Sequence, residues 1–188
     1  MVEAGHKPRR APTEREILDA ALGLLDTGGR PAASIRRIAA AVGVAPTTVY
    51  TFFPDRTAVE CALIERLLGA VRIGGGGSWR EAVEAIALDL RQRLVAHPGV
   101  VPLLLSGPLD GPHAQRIADC LLELLGASGL DPRSAARASY ALMVFVLGAI
   151  ALETFDAPRA MIGRAGPDRY LWGLRRMLDG VEAEAKLH

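Results

Sequence analysis

The chain is predicted to be all-α: an N-terminal three-helix helix-turn-helix domain followed by a larger helical domain. Three observations predict this. Apolar residues recur at three- and four-residue spacing along most of the sequence, and no segment alternates apolar and polar residues convincingly, as a half-buried strand would. Helix starts are marked by capping residues: Thr13 with Glu16, Ser78 with Glu81, and Asp131 before Pro132. Half of the 188 residues are apolar and only 5% are aromatic, an Ala- and Leu-rich composition that suits a sizeable helical core.

Residues 1–12 read as a flexible basic arm carrying Lys7, Arg9 and Arg10. The Thr13 capping box opens a first helix with Ile17, Leu18, Ala21, Leu22 and Leu25 on its apolar stripe, ending at Gly28-Gly29. Pro31 and Ser34 introduce a short second helix, with Ile35, Ile38, Ala39 and Val42 facing inward. Gly43 takes the tight corner, where a residue must adopt φ > 0 without steric cost. Val44 plugs that corner, and Pro46 opens a third helix where its missing N–H is not needed. The third helix, Pro46 to Phe52, turns Val49 inward together with Phe53, and exposes Thr47, Thr48 and Thr51 beside Tyr50. Such short hydroxyl and phenol side chains suit a DNA groove better than a core. Asp55 caps a fourth helix with Val59, Ala62, Leu63, Leu67 and Ala70 on its apolar face, closing a domain over residues 13–72.

Gly74 to Gly77 form the expected loop into the second domain, residues 73–188. No strand precedes this glycine run and no Gly-Lys-Ser/Thr follows it, so it reads as a hinge and not a phosphate cradle. Ser78 and Glu81 start a helix that Pro98 ends near His97, and a short apolar segment, Val100–Leu105, follows. Helical spacing resumes from Pro112 through Leu125. Asp131-Pro132 launches a long helix to Phe155, apolar on nearly every face from Tyr140 to Leu152. Residues 156–167 read as a loop, and a last helix from Asp168 to Lys186 carries Leu171, Leu174, Leu178 and Val181. A helix apolar all round must be surrounded, and Gly148 within it, unfavourable by about 1 kcal/mol relative to Ala, is explained by close approach of another helix.

The order of these N-terminal parts resembles the tetracycline-repressor (TetR) family of bacterial regulators. The likeness lies in the amphipathic first helix, the Ser34–Val42 helix, Gly43-Val44, the Thr-Val-Tyr-x-x-Phe cadence from Thr48 to Phe53, and Pro54-Asp55-Arg56. It implies a double-stranded DNA operator as partner, with the Pro46–Phe52 helix in the major groove and Thr47, Thr48, Tyr50, Thr51 and Phe52 facing DNA. Arg36 aligns with a family position that reads guanine, and Arg56 with a phosphate clamp shared with the Tyr50 hydroxyl. The resemblance further implies a homodimer, its four-helix interface built from Arg133–Phe155 and Asp168–Lys186 of each copy, which matches a palindromic operator.

The second domain resembles the tetracycline-repressor C-terminal subclass in the His97-Pro98 helix end, the Gly-Pro loop before a helix and the Phe145-Val-Leu-Gly-Ala run. The likeness stops short of magnesium: residues 103–106 hold no histidine, and Glu153 stands as a lone acid. No metal or other cofactor is expected. The expected effector is instead a small, mostly apolar molecule of unspecified identity, with Trp79, Leu104, Met143 and Phe145 as candidate pocket residues.

Formal charge is only +1 overall. Residues 1–72 hold ten basic and eight acidic side chains, so the N-terminal part is slightly basic and the remainder slightly acidic. The asymmetry has the sign a DNA partner needs, and phosphate attraction of this size is salt-sensitive. Cys61 and Cys120 lie within helical patterns and read as buried free thiols of a reducing cytosol. The N-terminus lacks the apolar stretch of a signal peptide. The run Tyr140–Leu152 falls short of the ~20 residues a bilayer span needs, so no membrane is expected. Paired carboxylates, ligand clusters, a nucleophile–base pair and cofactor fingerprints are all lacking, which argues against an enzyme. A repressor released by ligand is the reading taken forward; an activator of the same fold and a helical protein–protein adaptor are the alternatives.

Overall fold

A computed structural model describes residues 10–74, 77–155 and 166–187. The basic arm before Arg10 and the predicted loop over 156–165 lie outside the described residues. Every regular element among the described residues is helical: α1 (Glu14–Ala32), α2 (Ile35–Val42), α3 (Pro46–Tyr50), α4 (Arg56–Gly69), α5 (Trp79–Ala96), a 3-10 turn (Pro98–Val100), α6 (Val101–Ser106), α7 (Pro112–Ala127), α8 (Pro132–Thr154) and α9 (Pro167–Ala185). The chain divides into two compact units, the first ending at Val59 and the second beginning at Glu60. That boundary lies inside α4, whereas the apolar periodicity suggested one near its end.

The first unit follows its local signals. Thr13 and Glu16 form both halves of the capping box. Gly29, at φ 63°, breaks α1 where the Gly-Gly pair predicted an end, but one further turn reaches Ala32. Ser34 caps α2 through the Arg37 N–H. Gly43 adopts φ 71°, ψ 39° and donates its N–H to the Ala39 and Ala40 carbonyls, closing the corner into α3. α3 is shorter than predicted, ending at Tyr50. Thr51 and Phe52 continue it only as a turn because Pro54 drives Phe53 out of helical conformation. α1 packs on α2 and α2 on α3. The core holds Ile17, Leu25, Ile38, Ala39, Val49 and Phe53, all at least nineteen-twentieths buried.

In the second unit α5, α7, α8 and α9 pack together, with α6 against α8. The apolar segment after Pro98 is helical in two pieces, which its composition did not reveal. Leu94, Leu125, Ile150, Leu174 and Leu178 form the most buried layer. Polar ties fasten the helices. Arg91 of α5 pairs with Glu153 of α8 and lies over the Tyr170 ring of α9, 5.6 Å from its centre. The Tyr170 hydroxyl donates to the Ala87 carbonyl at 2.8 Å, and burial pushes its pKa up. Arg80 of α5 reaches Asp179 and Glu182 on α9.

Three expectations are corrected here. The thiols of Cys61 and Cys120 are half-buried, not enclosed. The last stripe buries Tyr170 with Leu174, Leu178 and Val181, leaving Leu171 half-buried. And the apolar run of α8 is longer than the one counted from Tyr140: 18 consecutive residues of it reach a mean hydropathy of 1.8, enough by length and composition alone to cross a membrane, a test that the core helix of a soluble protein also passes. The small residues Ala135, Ala136 and Ala138 of α8 extend that run towards its N-terminus.

Candidate nucleic-acid interface and ligand cavity

The helix-turn-helix places two opposed faces on α3. Val49 is fully buried and Phe53 nearly so, which orients the segment by hydrophobic contact. The opposite face is then obliged to point outward. Thr47, Tyr50, Thr51 and Phe52 are exposed, and Thr48 is half-buried. Phe52 and Tyr50 keep 40% and 52% of their surface in contact with solvent. The Thr51 hydroxyl donates to the Thr48 carbonyl at 2.7 Å, so its proton is used locally although the residue is exposed. Arg36 and Arg37 are both exposed on α2. Arg56 sits differently: it is half-buried and donates to the Arg30 carbonyl, tying the start of α4 to the end of α1. Asp55 caps α4 by accepting the Ala58 N–H at 2.8 Å.

Within the second unit a cavity of about 150 Å³ opens among α5, α7 and α8. Leu104 and Met143, both named from sequence, line it. Trp79 and Phe145 do not. Trp79 sits half-buried in the first turn of α5. The Phe145 ring turns the other way, stacked on Tyr170 with centres 5.9 Å apart. Periodicity places Phe145 on α8 but does not say which neighbour its ring meets. The remaining wall comes from residues such as Ile86, Ile117, Leu121 and Leu142, and Ser139 is the one polar residue among the described ones. Glu153, the lone acid considered for a metal, is engaged by Arg91. No group of three ligating side chains occurs among the described residues.

The cavity-lining helix α7 is fastened to α4 by contacts the sequence did not announce. The Glu65 carboxylate accepts the N–H groups of His113 (2.9 Å) and Ala114 (3.4 Å). Arg116 donates to the carbonyls of Gly69 and Val71. Arg72 then bonds Asp89 of α5 through both backbone N–H and guanidinium. One signal for Glu65 existed: α7 starts at Gly111-Pro112, and glycine at the N-cap offers no side-chain acceptor. The carboxylate that fills the gap lies 48 residues upstream, beyond any local pattern.

Two family models match the sequence. Residues 17–59 match "Bacterial regulatory proteins, tetR family", and residues 74–164 match "Tetracyclin repressor-like, C-terminal domain". An HTH-type transcriptional regulator of Saccharopolyspora erythraea is 28% identical over 144 residues, covering 76% of this chain and 61% of that protein. The HTH-type transcriptional repressor DrrR1 of Streptomyces coeruleorubidus is 27% identical over 162 residues, covering 82% and 60%. The chain thus spans about 60% of the length of these curated relatives. Apo ActR of Streptomyces coelicolor superposes with a TM-score of 0.81 at 22% identity, over 95% of this chain and 98% of that one. ActR has also been solved with (S)-DNPA. BioQ, solved with its double-stranded DNA operator, superposes at 0.74 with 22% identity, over 92% and 99%.

Proposed function

We propose, for a chain that belongs to the tetracycline-repressor (TetR) family, a homodimeric DNA-binding repressor of transcription that a small, mostly apolar effector releases. One observation carries the DNA reading: the outward face of α3 presents Thr47, Tyr50, Thr51 and Phe52 while Val49 and Phe53 hold it in place. In that reading Pro46 starts the helix entering the major groove. Thr48, Thr51 and Phe52 offer methyl and ring contacts to thymine, and the Tyr50 hydroxyl reaches phosphate. Arg36 reads guanine. Arg56, anchored at Arg30, both fixes the start of α4 and adds positive charge beside the backbone.

The dimer reading rests on α8 and α9. Tyr140, Val144 and Leu152 are exposed at roughly helical-turn spacing, and Trp172 of α9 keeps 68% of its surface open. Gly148 continues that stripe, and among the described residues nothing lies within 4 Å of a Cβ built there. No described neighbour in the same copy explains the glycine, and a second copy packed on the stripe does. Such a pair would offer two α3 helices to half-sites about one DNA turn or more apart, a turn being about 34 Å.

Release follows from the ties of α4. An effector that fills the cavity shifts α7 against α5 and α8, all of which line it. Glu65 and Arg116 carry that displacement into α4, which belongs to both compact units. The effector must prefer the non-binding arrangement by several kcal/mol, since equal affinity for both shifts nothing. Repression is the direction favoured by the likeness to DrrR1, and effector binding by the likeness to ActR.

A gel-shift titration of the full chain against the DNA flanking its own gene tests the reading. Saturable, salt-sensitive binding at one palindrome is expected. Binding no tighter than to random DNA would sink it and favour a protein–protein adaptor.

A further inference from the structure

We propose that the cavity is built for a compact, uncharged molecule about the size of one aromatic ring, bearing a single hydrogen-bonding group that meets Ser139. The inference rests on the effector-site reading above and narrows it to a chemical class. Size comes first. A cavity of about 150 Å³ matches the volume at which an apolar void in another protein stays dry and accepts benzene. Walls so apolar also set the charge. Among the described residues lining the cavity, Ser139 alone is polar, and no Asp, Glu, Lys, Arg or His is among them.

Several charged groups of the surrounding helices already have partners. Arg91 is held by Glu153, Asp89 by Arg72 and Arg93, and Glu65 by the first turn of α7. An ionised carboxylate or ammonium entering the cavity would meet no counter-charge among the described lining residues, and its desolvation would go uncompensated. A neutral hydroxyl or carbonyl faces a different balance. Ser139 is half-buried on α8, and among the described residues no hydrogen bond engages its hydroxyl. A ligand group that pairs with it trades a hydrogen bond to water for one to Ser139, and a hydrocarbon cannot make that contact.

Calorimetric titration of the DNA-free full chain tests this with three probes that share an ethylphenyl core: 4-ethylphenol, ethylbenzene and 4-ethylbenzoate, all at neutral pH. The phenol is expected to bind tightest, and the benzoate roughly 100-fold more weakly or not at all. Ser139→Ala is expected to weaken the phenol about five- to tenfold and to leave ethylbenzene unchanged. Retained ethylbenzene binding shows that the variant is folded. Benzoate binding as tight as the phenol, equal effects of Ser139→Ala on both neutral probes, or no binding of either neutral probe overturns the proposal. Operator release is read separately by gel shift. Failure of a bound phenol to release DNA would count against the effector mechanism and leave the ligand class standing.

Discussion

Phe145 of α8 sits directly over Gly173 of α9: a Cβ built on that glycine would lie 2.6 Å from the ring's Cζ. The ring fills the space that a side chain would need, with Tyr170 stacked on it. Glycine is otherwise unfavourable at mid-helix by about 1 kcal/mol relative to Ala.

Gly173→Ala therefore sets a propensity gain against a clash costing about 1–3 kcal/mol. A net loss of stability on urea unfolding is expected. Adding Phe145→Leu should recover part of it, because the smaller side chain vacates the contested volume. If Gly173→Ala stabilised the protein by the full propensity gain, the ring would be free to move aside and the close fit would be no constraint.

The two faces of α3 should separate cleanly in a pair of variants. Val49→Ala removes buried methyl groups and should lower stability by about 1.5–3 kcal/mol. Tyr50→Ala should leave the melting temperature within experimental scatter, since the ring is half exposed, yet weaken operator binding. Arg36→Ala, also exposed, should cut discrimination between operator and random DNA by about 1–3 kcal/mol. Loss of affinity equal for both DNAs would reassign Arg36 to the phosphates.

Acid sensitivity should trace partly to Asp89. Burial acts to raise its carboxyl pKa, but the hydrogen bonds from Arg93 and from the Arg72 backbone prevail and hold it below the ordinary value. A depressed pKa in the folded state contributes stability above the unfolded value, near 3.9, that fades as pH falls through the folded one. Asp89→Asn should thus cost about 1–3 kcal/mol at neutral pH. The difference from the parent should shrink below about pH 4. A constant difference across that range would mean the carboxylate's charge contributes nothing.

Val144→Asp and Trp172→Glu place a charge on the exposed apolar surface of α8 and α9. Both should shift sedimentation velocity profiles from dimer to monomer without loss of helical circular dichroism. Operator affinity should fall steeply, because a single α3 can occupy only one half-site. An unchanged dimer would move the interface elsewhere.

What the residues determined unaided is local in its physics. Capping at Thr13, Ser78 and Asp131, the corner at Gly43 and the inward turn of Val49 and Phe53 each depend on partners a few positions away. Such partners leave a periodic trace in sequence, and the helix-turn-helix was legible for that reason. Tertiary structure alone decided which side of α8 meets which neighbour. It turned Phe145 away from the cavity and onto Gly173, left Ser139 in the wall, and brought Glu65 to cap α7. Those pairings join residues 28 to 48 or more positions apart. On a helix apolar nearly all round, every face satisfies the same pattern, so only the three-dimensional packing of the other helices could choose among them.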